Sequence, residues 1–202
     1  YECFSAALPE AKLVNAHDLV DRLALIKEPG EVARCREASR IVDVGHQAVM
    51  EALRGGYQGM TETEVEADFA YEFIKGGGAF AYPPIIACGG SACVLHYVKN
   101  DAVCRSGELL LLDVASSYAG YNADMTRTIP VSGRFTRRQR QVYQAVLRVL
   151  KAQIKGLTPG KKPQQWQEES EELMARECVD LGLLKPKDLK VKVEDRMGLP
   201  VK

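Results

Sequence analysis

The chain has 202 residues, enough for one sizeable core, and its 46% hydrophobic and 27% charged residues are those of an ordinary globular protein. Its 27 basic and 27 acidic side chains give a formal net charge of zero, which removes any global electrostatic case for nucleic acid or an anionic membrane as partner. No apolar run approaches the roughly 20 residues that span a bilayer, and the opening stretch YECFSAALPE lacks the basic-then-apolar pattern of a signal peptide; the expectation is a cytoplasmic protein.

Residues 1–24 read as an end piece or linker with a short apolar run and one candidate helix. From Pro29-Gly30 the sequence predicts one long helix. Val32, Cys35, Ala38, Ile41, Val42, Val49 and Leu53 recur at helical spacing, and Gly55-Gly56 ends it. A second helix follows, with Thr61 and Glu64 at capping-box spacing and Gly76 to Gly78 as the stop. The middle third changes period: YPPIIACGG, CVLHYVKND and GELLLLDVASSYAGYNADMTRTIPV are short β-prone runs broken by Pro, Gly and Asn-Asp. Helix returns at FTRRQRQVYQAVLRVLKAQIK, with Thr136 and Gln139 as a second capping box, and again at PQQWQEESEELMARECVDLGLL. Helices, then antiparallel-looking strands, then helices make this an α+β chain and not an alternating βαβ one. The densest basic run, Arg134 to Gln141, opens an amphipathic helix and reads as its solvated face. The six cysteines form no CxxC pair and no zinc-finger spacing, so reduced, partly buried thiols are expected.

The hairpin LLLLDVASSYAGYNADMTRT carries two aspartates in apolar surroundings, Asp113 and Asp124. A turn over Ser117 to Gly120, centred between Tyr118 and Ala119, sets them directly opposite each other with β-carbons roughly 5 Å apart. Two carboxylates so placed repel, and burial penalises each further. Three arrangements relieve this: a shared proton, pairing with a basic side chain such as Arg127, or divalent cations held between them, for which oxygen ligands on adjacent rigid strands are suited. His96, in VLHYVKND, is placed on a strand ending in an Asn100-Asp101 turn; a lone histidine there is more often a satisfied structural residue than a catalytic one.

The runs YPPIIACGGSACVLHYVKND and GELLLLDVASSYAGYNADMTRTIPVSGRFTRRQRQVYQAVL resemble the Xaa-Pro aminopeptidases and prolidases, metallopeptidases of the pita-bread fold. The upstream segment RLALIKEPGEVARCREASRIVDVGHQAVMEAL resembles the start of that family's catalytic domain. The resemblance implies a fold of antiparallel sheet covered by helices, with residues 1–24 ending a separate amino-terminal domain or linker and residues 25–202 forming the first half of the catalytic domain. It implies that Asp113 and Asp124 are the first two ligands of a dinuclear site, with manganese the usual metal and zinc or cobalt as substitutes. His96 then matches the histidine that hydrogen-bonds substrate and supports the tetrahedral intermediate. The implied substrate is a peptide with proline at its second position.

The family's remaining ligands, a histidine and two glutamates, have no match here; His17, His46 and Glu194 do not fit them. The expectation is half of a catalytic domain, weakly active or inactive by itself, with the missing carboxy-terminal half or else a homo-oligomer partner as its partner. The competing expectation is a pita-bread module that binds peptide or protein without catalysis; retention of Asp113, Asp124 and His96 argues against it.

Overall fold

The computed structural model describes residues 2–54 and 59–190. They fall into two compact units, Tyr1–Val131 and Ser132–Lys202. The first unit begins with α1 (Glu2–Ala7) and α2 (His17–Leu25), then the long α3 (Pro29–Arg54) and α4 (Glu62–Lys75). Four strands follow: β1 (Ala79–Phe80), β2 (Ile85–Cys88), β3 (Leu109–Tyr118) and β4 (Tyr121–Pro130), with a 3-10 helix at Gly89–Cys93. The expected start of α3 at Pro29 and the capping box of α4 are present: the Thr61 side chain accepts from the Glu64 amide, and the Glu64 carboxylate accepts from the Thr61 amide. Gly76 caps the far end of α4 and Gly77 takes φ 76°. The predicted stop at Gly55-Gly56 lies outside the described residues, as does most of the tail carrying Glu194.

β3 is the centre of an antiparallel sheet. Along one edge it pairs with β4; along the other it pairs with β2 near its start and with β1 near its end. Phe80 faces Ser116 while Ile85 faces Asp113, so the β1–β2 connection takes up two more residues than β3 does over the same span. Tyr82-Pro83-Pro84 fills that excursion, where prolines cost no ladder bond.

Alternate β3 residues Leu110, Leu112 and Val114 are fully buried, and they join Ile41, Val42 and Val49 of α3 with Val65, Phe69 and Phe73 of α4 in one core. Burying each such side chain is worth about 1.5–3 kcal/mol. α3 comes close to α4 only because position 45 has no side chain: a Cβ on Gly45 would sit 2.7 Å from Phe69 Cδ1. His46 is 2% exposed, packs edge-on against Phe69, and donates through Nε2 to the Met125 carbonyl at 2.9 Å. Burial pushes its imidazole below the usual value, Arg127 adds to the effect, and the Met125 carbonyl and Asp43 oppose it.

The second unit is an antiparallel helix pair, α5 (Arg137–Gly156) and α6 (Pro163–Asp180). The predicted Thr136–Gln139 capping box heads α5, and Pro163 sits at the first position of α6. Trp166 Nε1 donates to the Gln153 carbonyl at 3.0 Å, and Arg148 forks onto Glu177. Arg137, Arg138 and Arg140 are exposed, as a solvated face requires. All six cysteines are free, with Cys88 and Cys104 buried and Cys3 and Cys93 exposed. No helix among the described residues is long and apolar enough to cross a membrane.

Candidate metal centre

The hairpin exists, but its register differs from the expected one. Asp113 faces Thr126 and Asp124 faces Ala115. The turn is centred on Ala119-Gly120, with φ 48° and 82°; both central residues are left-handed, as a type I′ turn requires. Moving the centre by one residue moves each cross-strand partner by two, and a shift of two preserves the face of the sheet. The aspartates are therefore diagonal neighbours on one face and not direct partners. That face is the one turned away from α3 and α4. Asp113 is half-buried and Asp124 is exposed, so the hairpin is less buried on this side than its apolar sequence predicts.

The two carboxylates nevertheless converge. The Tyr82 hydroxyl lies 2.5 Å from Asp113 Oδ1 and 3.0 Å from Asp124 Oδ1, so the two oxygens are no farther apart than those two lengths end to end. Burial holds the Tyr82 phenol above its ordinary range, and the hydrogen bonds to Asp113 and then Asp124 raise it further. A phenol has one proton and satisfies one carboxylate oxygen at a time. A divalent cation satisfies both, and a pair of hard oxygen donors on adjacent strands is the chemistry such ions prefer. Asp113 and Asp124 therefore fit as two ligands. Among the described residues no group of three or more His, Cys, Asp or Glu side chains gathers around a metal position.

Arg127 does not relieve the pair. It faces Leu112, on the helix side of the sheet, and its guanidinium donates to the Thr126 carbonyl at 2.9 Å. An odd offset from Thr126 puts its side chain on the wrong face for Asp113 and Asp124.

His96 departs from expectation. It is not on a strand: the run CVLHYVKND leaves the 3-10 helix and continues as irregular loop, with His96 exposed and at φ 55°. No hydrogen bond or ion pair among the described residues joins it to either aspartate. The loop is held from behind instead, by Glu62 and Asn100, which sequence reasoning missed. Glu62 is fully buried and Asn100 is 3% exposed. Tyr82 was missed too. Its signal was local, a bulky hydroxylated ring directly before two prolines, where ladder breaks often re-aim a side chain. Glu62 had none, since TETE reads as a solvated first turn.

Comparison with known proteins gives concordant matches. The profile of metallopeptidase family M24 matches residues 33–199. A Xaa-Pro aminopeptidase from Haemophilus influenzae is 34% identical over 181 residues, which cover 89% of this chain and 41% of the relative. Proline aminopeptidase P II from Yersinia pestis superposes with a TM-score of 0.84 at 32% identity, covering 93% of this chain and 42% of that one. A zinc-substituted Escherichia coli aminopeptidase P in complex with product gives 0.82 at 31% identity, covering 93% and 41%. The chain thus spans about two fifths of the length of the proteins it matches, and its antiparallel sheet with covering helices is part of their fold.

Proposed function

The chain belongs to metallopeptidase family M24, and from that premise we propose that it contributes to a metal-dependent exopeptidase that hydrolyses the peptide bond before proline. Residues 25–202 are then the first part of the catalytic domain, and residues 1–24 the end of what precedes it. The observation that carries the reading is the convergence of Asp113 and Asp124 on one hydroxyl, on the sheet face that the core does not use. Relatives named Xaa-Pro aminopeptidase support the substrate class, a peptide with proline second.

In this reading Asp113 and Asp124 hold divalent ions, manganese first and zinc or cobalt as substitutes, with the remaining ligands supplied from outside the described residues. Bound ions supply an activated water at neutral pH and offset the negative charge that develops on the carbonyl oxygen. The chain's own residues do the rest. Tyr82 donates its one proton to the aspartate pair and draws one oxygen of each carboxylate to a common point, Asp113 is shielded on its half-buried strand, and His96 presents its imidazole to the substrate from an exposed loop. The free thiols agree with a reducing, cytoplasmic setting.

The test is hydrolysis of an Xaa-Pro peptide by the full-length protein, with Asp124→Asn beside it. Metal-dependent cleavage that Asp124→Asn abolishes supports the proposal. Peptide binding without cleavage at any metal loading overturns it in favour of a recognition module.

A further inference from the structure

We propose that Glu62 is a positioning residue: a buried carboxylate that fixes, from beneath, the loop presenting His96. The inference rests on the reading of His96 as substrate-facing. Glu62 lies in the first turn of α4, 0% exposed, and no ion pair among the described residues includes it. A buried carboxylate without a counter-ion persists only when donors surround it, and here they come from the two ends and the middle of one segment. Oε1 accepts from the Cys88 amide at 2.7 Å; Oε2 accepts from the Tyr97 hydroxyl at 2.7 Å and the Ala102 amide at 3.0 Å. Cys88 ends β2, Tyr97 follows His96 directly, and Ala102 closes the loop.

Asn100 completes the hold. Its Oδ1 accepts from the Ile86 amide at 3.0 Å, and its Nδ2 donates to Glu66 Oε2 and to the Pro84 carbonyl, each at 2.8 Å. Its own carbonyl accepts from Thr63 Oγ1. The return of the chain is sealed by the Glu62 amide on the Ala102 carbonyl and the Cys104 amide on the Met60 carbonyl. His96 and Asn100, at φ 55° and 47°, are both left-handed without being glycine. Such conformations persist where surrounding bonds over-determine them. The same network also reaches the excursion that carries Tyr82, since Asn100 Nδ2 bonds the Pro84 carbonyl two residues beyond it. The carboxylate's shape matters because each of its oxygens receives a backbone N–H. Glu62→Gln is isosteric, yet whichever way the amide turns, one NH2 faces a backbone donor.

The experiment uses the full-length protein with Glu62→Gln, Tyr97→Phe, His96→Ala and the double variant Glu62→Gln/His96→Ala. Amide exchange is read by mass spectrometry over residues 94–104, kcat and KM on an Xaa-Pro peptide, and affinity by manganese titration. Glu62→Gln is expected to speed exchange in 94–104 by about 10-fold or more. It lowers kcat about 10-fold with KM little changed, and leaves manganese affinity within about 2-fold, because neither aspartate touches Glu62. In the His96→Ala background it adds no further loss of kcat, as two residues acting through one group require. Tyr97→Phe removes one donor and leaves both backbone bonds, so it moves exchange and kcat the same way, by about 3-fold, even where Glu62→Gln does not fold. Additive losses in the double variant, or wild-type exchange in Glu62→Gln and Tyr97→Phe, overturn the proposal. A His96→Ala enzyme with unchanged turnover overturns the reading of His96, and the exchange data still show whether Glu62 holds the loop.

Discussion

The two faces of the β3–β4 hairpin share one backbone and have opposite characters. On the helix side, Leu110, Leu112 and Val114 are sealed against α3 and α4. On the other side, one residue along each strand, Asp113 and Asp124 stand at half-buried and exposed positions on a single tyrosine hydroxyl. The strand period of two puts the core side chains on one face and both aspartates on the other. A rigid, apolar underside is what allows two like charges to be held at fixed separation above it. The faces should therefore fail separately under mutation.

The sharpest separation is expected at Asp113. Asp113→Asn should lower turnover of an Xaa-Pro peptide by more than about 100-fold, the upper range for groups that merely orient a metal ligand. Its melting curve without metal should stay within about 1 kcal/mol of wild type, since the site contributes little to the core. An equal loss of stability and activity would break the comparison. One residue away, Leu112→Ala should do the reverse, destabilising unit 1 by about 2–5 kcal/mol in urea unfolding while leaving the activity of the folded fraction nearly intact.

Gly45→Ala is predicted to cost about 1–3 kcal/mol, because the new Cβ meets the rings of Phe69 and Phe73 at 2.7 and 3.0 Å. Thermal unfolding checks it, and an unchanged Tm would mean that α3 and α4 can separate freely. The smallest effect concerns His46. Its folded pKa lies below the unfolded value near 6.5. The stability it contributes is therefore complete above that pH and is lost as pH falls from there through the folded pKa, because the unfolded chain takes up the proton first. Each unit of separation is worth about 1.4 kcal/mol. Wild-type Tm should fall between pH 7.5 and 5.5, and His46→Gln should flatten that slope. Parallel slopes would assign the acid sensitivity to other groups.

What the sequence disclosed follows the same division. Elements whose signals are local were legible: Pro29, the Thr61–Glu64 and Thr136–Gln139 caps, and the hairpin itself all appear where the residues point. The hairpin register slipped because Ala119 adopts a left-handed φ that its side chain does not advertise. The aspartates keep a common face because the shift is even. The β propensity of CVLHYV points His96 to a strand, and what overrides it is nonlocal, a carboxylate and an amide bonding across 14 to 40 residues. Tyr82 belongs to neither aspartate's strand, and no spacing rule connects it to them.

Whether the open face of the hairpin is a metal face can be read by manganese electron paramagnetic resonance on the full-length protein and its Asp113→Asn and Asp124→Asn variants. Stoichiometric manganese binding is expected in the wild type, with affinity lowered at least about 10-fold in each variant. Undiminished binding in both variants would contradict it.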